Sequence, residues 1–305
     1  MIVKKEAYYS SDNRINKIRA LVWEDQEKSP SGVVQIIPSL GDHIGRYDEI
    51  ARHLALQGFV VCGNDHIGNG KSVSSSVELG AVTDNADVTV IRDVNTLHRI
   101  MAKRYKELPY YIIGAGVGSF IARIYAGAFS EQLSGAVFIG TSQMPDFVWA
   151  LNDPLNALMS NLPREVSSAA ALNTLFGKIT KRLYKDNSEL SWLSVNEQNL
   201  AEYIGDPLTG FGMTRQMTAA LIKLLLKGSL RENAEKLPSD FKVMFLSGAK
   251  DSVGFFGRGV ISASDIYAAA GLSPEVILYP TDRHEILRES DREKVFTDIA
   301  EFLLK

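Results

Sequence analysis

Short apolar runs rich in β-branched residues alternate along the chain with segments whose apolar positions recur at helical spacing. The runs are Gly32–Pro38, Phe59–Gly63, Tyr110–Gly114, Gly135–Gly140, Lys242–Ser247 and Glu275–Tyr279, each of strand length. Between them, Tyr47–Leu56 places Ile50, Leu54 and Leu56 on one side, and Val88–Tyr105 spaces Val90, Ile91, Val94, Leu97 and Met101 at helical intervals. Glu289–Leu304 closes the chain with another helical pattern, and Ser10–Asp25 reads as an earlier, more exposed hairpin. This alternation predicts an α/β fold with a mostly parallel central sheet and helices on both faces.

The rhythm stops between about Ser142 and Leu230, where strand signals give way to helical ones at Phe147–Met159, Ser167–Tyr184, Glu197–Ile204 and Met213–Leu226. An all-helical insert before the fifth strand of the parallel set predicts a lid over the sheet's carboxyl edge, where α/β proteins bind ligands. The chain then divides into a first part of the core (1–141), a helical cap (142–230) and a second part of the core (231–305).

Composition removes some function classes. Of 305 residues, 45% are hydrophobic and 23% charged, the balance of a globular protein. The net charge is −3 and no basic block occurs, so nucleic acid is not an expected partner. Cys62, the single cysteine, has no internal disulfide partner and points to a reducing, cytoplasmic setting. The first residues carry no apolar segment of a secretory leader, and no run reaches the roughly 18 apolar residues that span a bilayer. Oligomeric state is left open.

The chemistry concentrates at Gly114-Ala115-Gly116-Val117-Gly118-Ser119, a tight turn between a strand and a helix. One reading is a dinucleotide fingerprint, in which glycines let the backbone approach a pyrophosphate at the helix N-terminus; the acid that would bind a ribose about 20 residues on is missing. The other is a nucleophile elbow, G-x-S-x-G, with Gly114 and Gly118 as its outer glycines and Gly116 at its centre. Asp251 and His284 each follow a strand, and elbow, acid, histidine is the chain order of hydrolase triads. In such a triad the acid fixes the imidazole tautomer and the imidazole takes and returns a proton. The plainer alternatives are an ordinary loop acid and a surface or helix-capping histidine; placement at strand ends in the right order favours the functional pair. Asn69-Gly70-Lys71-Ser72 invites a P-loop reading, but Asp65 stands where that motif needs its first glycine.

With these motifs the chain resembles the monoacylglycerol lipase/lysophospholipase family of serine aminopeptidase S33-type α/β-hydrolases. Pro38-Ser39-Leu40-Gly41-Asp42-His43-Ile44-Gly45-Arg46-Tyr47 is similar to the family's H-G-x-x-E-H-x-x-R-Y, and Asn64–Ser72 to its N-D-x-x-G-x-G-x-S. Arg283-His284-Glu285, and in the insert Trp192-Leu193-Ser194 and Asp206–Phe211, extend the likeness. The resemblance implies cleavage of acyl esters of glycerol or lysophospholipids with no metal or organic cofactor. It implies an oxyanion hole made by the backbone N–H groups of Leu40 and Val117. The insert's Phe147, Val148, Trp149, Leu151, Leu155 and Met159 would then line an acyl channel or touch a membrane surface transiently; simple packing of the insert onto the core is the competing expectation.

Three departures fall at the chemistry: Gly116 replaces the nucleophile serine, Ala115 the histidine before it, and Pro38-Ser39 the H-G of the oxyanion loop. Glycine has no hydroxyl, thiol or carboxylate, so no acyl-enzyme forms at 116. The first expectation is therefore a catalytically silent relative that binds a small acyl or apolar ligand under its lid. The second is an active hydrolase in which Asp251-oriented His284 activates water, or Ser39 stands in as nucleophile; Ser119, a helical turn further on, should face elsewhere. The third is the dinucleotide-binding oxidoreductase.

Overall fold

The computed structural model describes residues 1–144, 178, 182, 183 and 190–305. Among them, β1 (Ile2–Ser10), β2 (Lys17–Asp25), β3 (Gly32–Ile37), β4 (Phe59–Asn64), β5 (Tyr110–Ala115), β6 (Gly135–Ile139), β7 (Lys242–Gly248) and β8 (Glu275–Tyr279) form one sheet in the order β1-β2-β4-β3-β5-β6-β7-β8. Strands β3 to β8 are parallel; β1 and β2 pair antiparallel, and β2 joins β4 antiparallel.

The six apolar runs thus become the six parallel strands. Their side chains alternate between two cores with the period of a pleated strand. Val33, Ile37, Val60, Cys62, Ile112, Phe138 and Phe245 face one layer, where α2 (Ala86–Arg104) supplies Val90, Val94, Leu97 and Met101 and α3 (Val117–Phe129) supplies Ile121, Ala122 and Tyr125. Val34, Ile36, Val61, Ile113, Val137 and Leu246 face the other, against Ile50 and Leu54 of α1 (Asp48–Leu56) and Val295, Phe296, Ile299 and Leu303 of the C-terminal helix Arg292–Leu304. Burial on both faces explains why β3 to β7 read as near-continuous apolar runs; β8, at the sheet edge, is only partly buried.

The hairpin differs from the expectation in extent and burial. Its first strand begins at Ile2, and β2 is almost wholly buried because pairing with β4 sandwiches it between the layers, Ile18, Ala20 and Val22 on one side and Leu21 and Trp23 on the other. Only β1 is exposed, an edge strand carrying Lys4, Lys5 and Glu6 that discourages pairing with another chain. Leu56, expected on the buried side of α1, is 53% exposed at the helix end, and Val88 is exposed as well. Helix Arg258–Ala269 has no counterpart in the sequence reading; it buries mainly small residues, Gly259, Val260, Ala263 and Ser264, beside Tyr267.

Between β6 and β7 the described residues hold three helices, Glu197–Gly205, Arg215–Gly228 and Glu232–Glu235, and no strand. Met217, Leu221 and Leu224 of the second pack into the α2–α3 layer, so this end of the insert belongs to the body of the core.

Candidate active site

Four loops at the carboxyl ends of β3, β5, β7 and β8 meet. At the end of β5 the chain reverses into α3 at Gly116, with φ +56° and ψ −124°, a backbone conformation that glycine adopts without the clash of a Cβ. A Cβ on Gly114 would stand 2.3 Å from the Gly118 carbonyl oxygen, and one on Gly118 would stand 2.1 Å from the Ile37 carbonyl oxygen. These two glycines let strand, turn and helix approach that closely.

Asp251, in the loop after β7, is fully buried. Its Oδ1 accepts the Val253 N–H at 2.8 Å, and its Oδ2 lies 2.9 Å from His284 Nδ1. An ionised carboxylate only accepts, so Nδ1 carries the proton and Nε2 is the nitrogen turned toward the turn. A Cβ on Gly116 would lie 3.3 Å from that Nε2. Burial alone would lower the imidazole's pKa; the charge and hydrogen bond of Asp251 outweigh it and raise the pKa above its usual value. The ring packs on Gly140 and lies 5.4 Å, centroid to centroid, from Trp192.

The loop after β3 completes the floor. Ser39 Oγ accepts the Val117 N–H at 3.2 Å and sits 2.9 Å from where a Gly116 Cβ would stand. Leu40, buried, lines the same pocket. Two buried residues fix this loop. His66 Nε2 donates to the Pro38 carbonyl at 3.0 Å, and Asp65 accepts the N–H groups of Ile44 at 2.7 Å and Lys71 at 2.8 Å and the Arg19 guanidinium at 3.2 Å. Ser119 does face elsewhere: its hydroxyl is buried and donates to the Gly116 carbonyl at 2.6 Å.

The same pocket holds a polar wall that the sequence did not reveal as a unit. Arg46 makes two bonds of 2.9 Å to Glu285, a planar fork on a carboxylate. Asn199, from the insert, donates to Glu285 at 2.8 Å and accepts from Arg46 at 3.1 Å, while Tyr203 lies under the guanidinium at 5.1 Å. Arg46 and Glu285 were visible in motifs similar to the family's; Asn199 and Tyr203 had no such signal. Leu40, Ile139, Trp192 and Leu193 give the pocket its apolar side.

The described residues therefore bring Gly116, Val117, Leu40, Ser39, Asp251 and His284 together. The expected lid contacts Phe147, Trp149, Leu151, Leu155 and Met159 lie outside the described residues. Among those described, no group of three histidine, cysteine, aspartate or glutamate side chains could hold a metal ion.

The pattern of the serine aminopeptidase S33 family matches residues 28–291. The chain belongs to that family. A monoacylglycerol lipase of Mycolicibacterium smegmatis is 24% identical over 93% of this chain and 91% of its own length. Among solved structures, a thermostable carboxyl esterase from Bacillus coagulans, in complex with glycerol, superposes with a TM-score of 0.89 at 28% identity over 99% of this chain and 98% of that one. A soluble variant of the Saccharomyces cerevisiae monoglyceride lipase, in complex with a substrate analog, gives 0.73 at 20% identity, over 99% and 94% of the two chains, a likeness of fold alone. The fold is that of an α/β-hydrolase. S33 membership favours the elbow reading of the 114–119 turn over the dinucleotide one.

Proposed function

We propose that this S33-family protein binds an acyl ligand of the monoacylglycerol class and forms no acyl-enzyme at position 116, the place of the family's nucleophile. One observation carries the reading: the imidazole oriented by Asp251 turns its Nε2 toward a glycine, and no hydroxyl among the described residues hydrogen-bonds to that nitrogen. Asp251 and His284 fill the roles of acid and base, and the N–H groups of Leu40 and Val117 those of oxyanion donors, but the atom that attacks a carbonyl is missing from its position. Ser39 Oγ on the Val117 N–H adds to the argument, because it holds a donor that an ester carbonyl would need.

The ligand class follows from the relatives, a monoacylglycerol lipase and an esterase in complex with glycerol, together with a pocket that has one apolar and one polar wall. The helical segment 142–230, apart from the Arg215–Gly228 helix that packs into the core, is read as the cap over it, a lid whose apolar residues lead the acyl chain in. Cys62, whose thiol burial pushes up to about 12, suits a reducing cytoplasm. Among the described residues no helix is long and apolar enough to cross a membrane.

A second reading is turnover with altered machinery, and the intact Asp251–His284 pair favours it: the imidazole draws a proton from water beside Gly116, or Ser39 attacks in place of the missing serine. Hydrolysis of 1-decanoylglycerol by the purified protein and by His284→Ala, with intact-mass detection of a fluorophosphonate adduct, separates the readings. Equal background rates and no adduct are expected. Turnover well above His284→Ala, or an adduct on Ser39, refutes the first reading.

A further inference from the structure

The floor of the pocket offers hydrogen-bond donors with no acceptor among the described residues. Ser39 Oγ uses a lone pair on the Val117 N–H, which leaves its own proton to give, and no described residue accepts it. His284 Nδ1 is engaged by Asp251, so in the imidazolium form the Nε2–H points at the space beside Gly116, and glycine presents no side-chain acceptor there. Both groups bound one spot, 2.9 Å and 3.3 Å respectively from where a Gly116 Cβ would stand.

The charges around that spot decide what fits. Asp251 faces the imidazole from the β7 loop. The same pocket is lined by Asp42, Arg46, Glu285 and Arg288, with Arg46 bonded to Asp42 at 3.3 Å and to Glu285 at 2.9 Å, and Arg288 bonded to Glu202 at 3.3 Å and to the Arg46 carbonyl. Arg46 and Arg288 are already matched by Asp42, Glu285 and Glu202, and His284 by Asp251, so protonating His284 adds the one positive charge that changes with pH. With His284 neutral that charge is gone. A carboxylate takes both donors and pairs its own charge with the imidazolium, whereas a neutral ester carbonyl takes a hydrogen bond and gains less from the charge.

We propose that the pocket above Gly116 is a receptor for the carboxylate of a free acyl-chain acid, held by the Ser39 hydroxyl and His284 Nε2–H with its chain along Leu40, Ile139, Trp192 and Leu193. This rests on the reading that residue 116 forms no acyl-enzyme, and it names the acid rather than the ester as the ligand. Binding is coupled to protonation: the acid binds best where His284 is charged and weakens as pH rises through its titration.

The test is calorimetric titration of the full-length protein with decanoate, its neutral isostere decanamide, and 1-decanoylglycerol, near pH 6 and near pH 8. Decanoate is expected to bind about tenfold tighter than decanamide at the lower pH, one further charge-assisted contact's worth, with the preference shrinking at the higher. His284→Gln, checked for folding by thermal melt, should lose the preference yet still bind decanamide. Ser39→Ala should weaken decanoate binding several-fold and leave its pH dependence in place. Should His284→Gln fail to fold, the pH dependence of the wild-type preference decides alone. Decanamide or 1-decanoylglycerol binding as tightly as decanoate at both pH values overturns the carboxylate proposal and leaves the acyl-ligand reading standing. Hydrolysis of 1-decanoylglycerol in the same cell, or binding of none of the three, overturns both.

Discussion

Placing a serine at 116 tests the site at its centre, and the structure sets the size of the effect. Gly116 has φ +56°, and holding a non-glycine in such a conformation costs about 1–3 kcal/mol. The new Cβ would stand 2.9 Å from Ser39 Oγ and 3.2 Å from Ser39 Cβ, so the Ser39 side chain must rotate off the Val117 N–H and give up a bond worth about 0.5–1.5 kcal/mol. Gly116→Ser should therefore lower unfolding free energy by about 2–4 kcal/mol, measured by urea denaturation. The same Cβ lies 3.3 Å from His284 Nε2, which puts a serine hydroxyl within hydrogen-bond reach of the base. Activity should still be poor, because the displaced Ser39 side chain stays beside the turn and crowds an ester carbonyl away from the Val117 N–H, and losing one oxyanion donor costs roughly 10²–10³ in kcat. Adding Ser39→Gly removes both the clash and the competitor. The double variant should recover part of the lost stability and react with fluorophosphonate and 1-decanoylglycerol about a hundredfold faster than Gly116→Ser. A Gly116→Ser protein as stable as wild type, or as fast as the double variant, would refute the claim that Ser39 and residue 116 exclude each other.

Three further outcomes are expected. Glu285→Ala leaves the buried Arg46 guanidinium with Asp42 as its remaining carboxylate and should destabilise by about 3–5 kcal/mol in urea; a loss under about 1 kcal/mol would mean the pair is solvated. Asp251→Asn removes what holds the His284 pKa up, so burial should carry it below the usual imidazole range in an NMR titration. Because the folded pKa of His284 is raised, its contribution to stability is complete below the unfolded value and is lost as pH rises through the folded one; the variant should lack that loss. Asp93 is raised to about 6 by burial, against the opposing hydrogen bonds from the Asp12 N–H and Ser11 hydroxyl. An acid whose folded pKa lies above its unfolded one binds more protons when folded, so stability should fall as pH rises from the ordinary aspartate range to about 6, and Asp93→Asn should flatten that slope.

Strands β3 to β7 were legible because each is buried on both faces, which leaves runs such as Val33-Val34 and Ile36-Ile37 with little polar interruption; β8, a half-exposed edge strand, was legible from Val276-Ile277-Leu278. Strand β1 was not, since an exposed edge strand reads Lys4-Lys5-Glu6 like any solvated segment. Helix Arg258–Ala269 hid for a related reason: beside Val260 and Tyr267 its buried face holds Gly259, Ala263 and Ser264, residues with little hydrophobic signature. At the site, Asp251 and His284 were found by their places after strands, a property that sequence order preserves. The Ser39 contact to Val117 was not, because it depends on a rotamer that only a glycine at 116 leaves room for. Asn199 bridging Arg46 and Glu285 is likewise a contact between three separate segments that no local pattern encodes.

The turn at 116 does not need a side chain to hold its shape. The Gly116 N–H donates to the Ile139 carbonyl at 2.9 Å, and the Gly116 carbonyl accepts from the Ser119 N–H at 3.0 Å and the Ser119 hydroxyl at 2.6 Å. Gly114 and Gly118 supply the close approaches, so a serine can be absent without the bend relaxing. The Asp251–His284 pair is self-sustaining in the same sense: removing either partner leaves a buried, unmatched polar group, which makes the pair a structural element whether or not protons are transferred. An intact pair permits turnover but is not sufficient for it. What distinguishes a binding site from a catalytic one here is the identity of the group between Gly116 and His284 Nε2, and among the described residues the hydroxyl beside a Gly116 Cβ, that of Ser39, accepts the Val117 N–H rather than hydrogen-bonding to the imidazole.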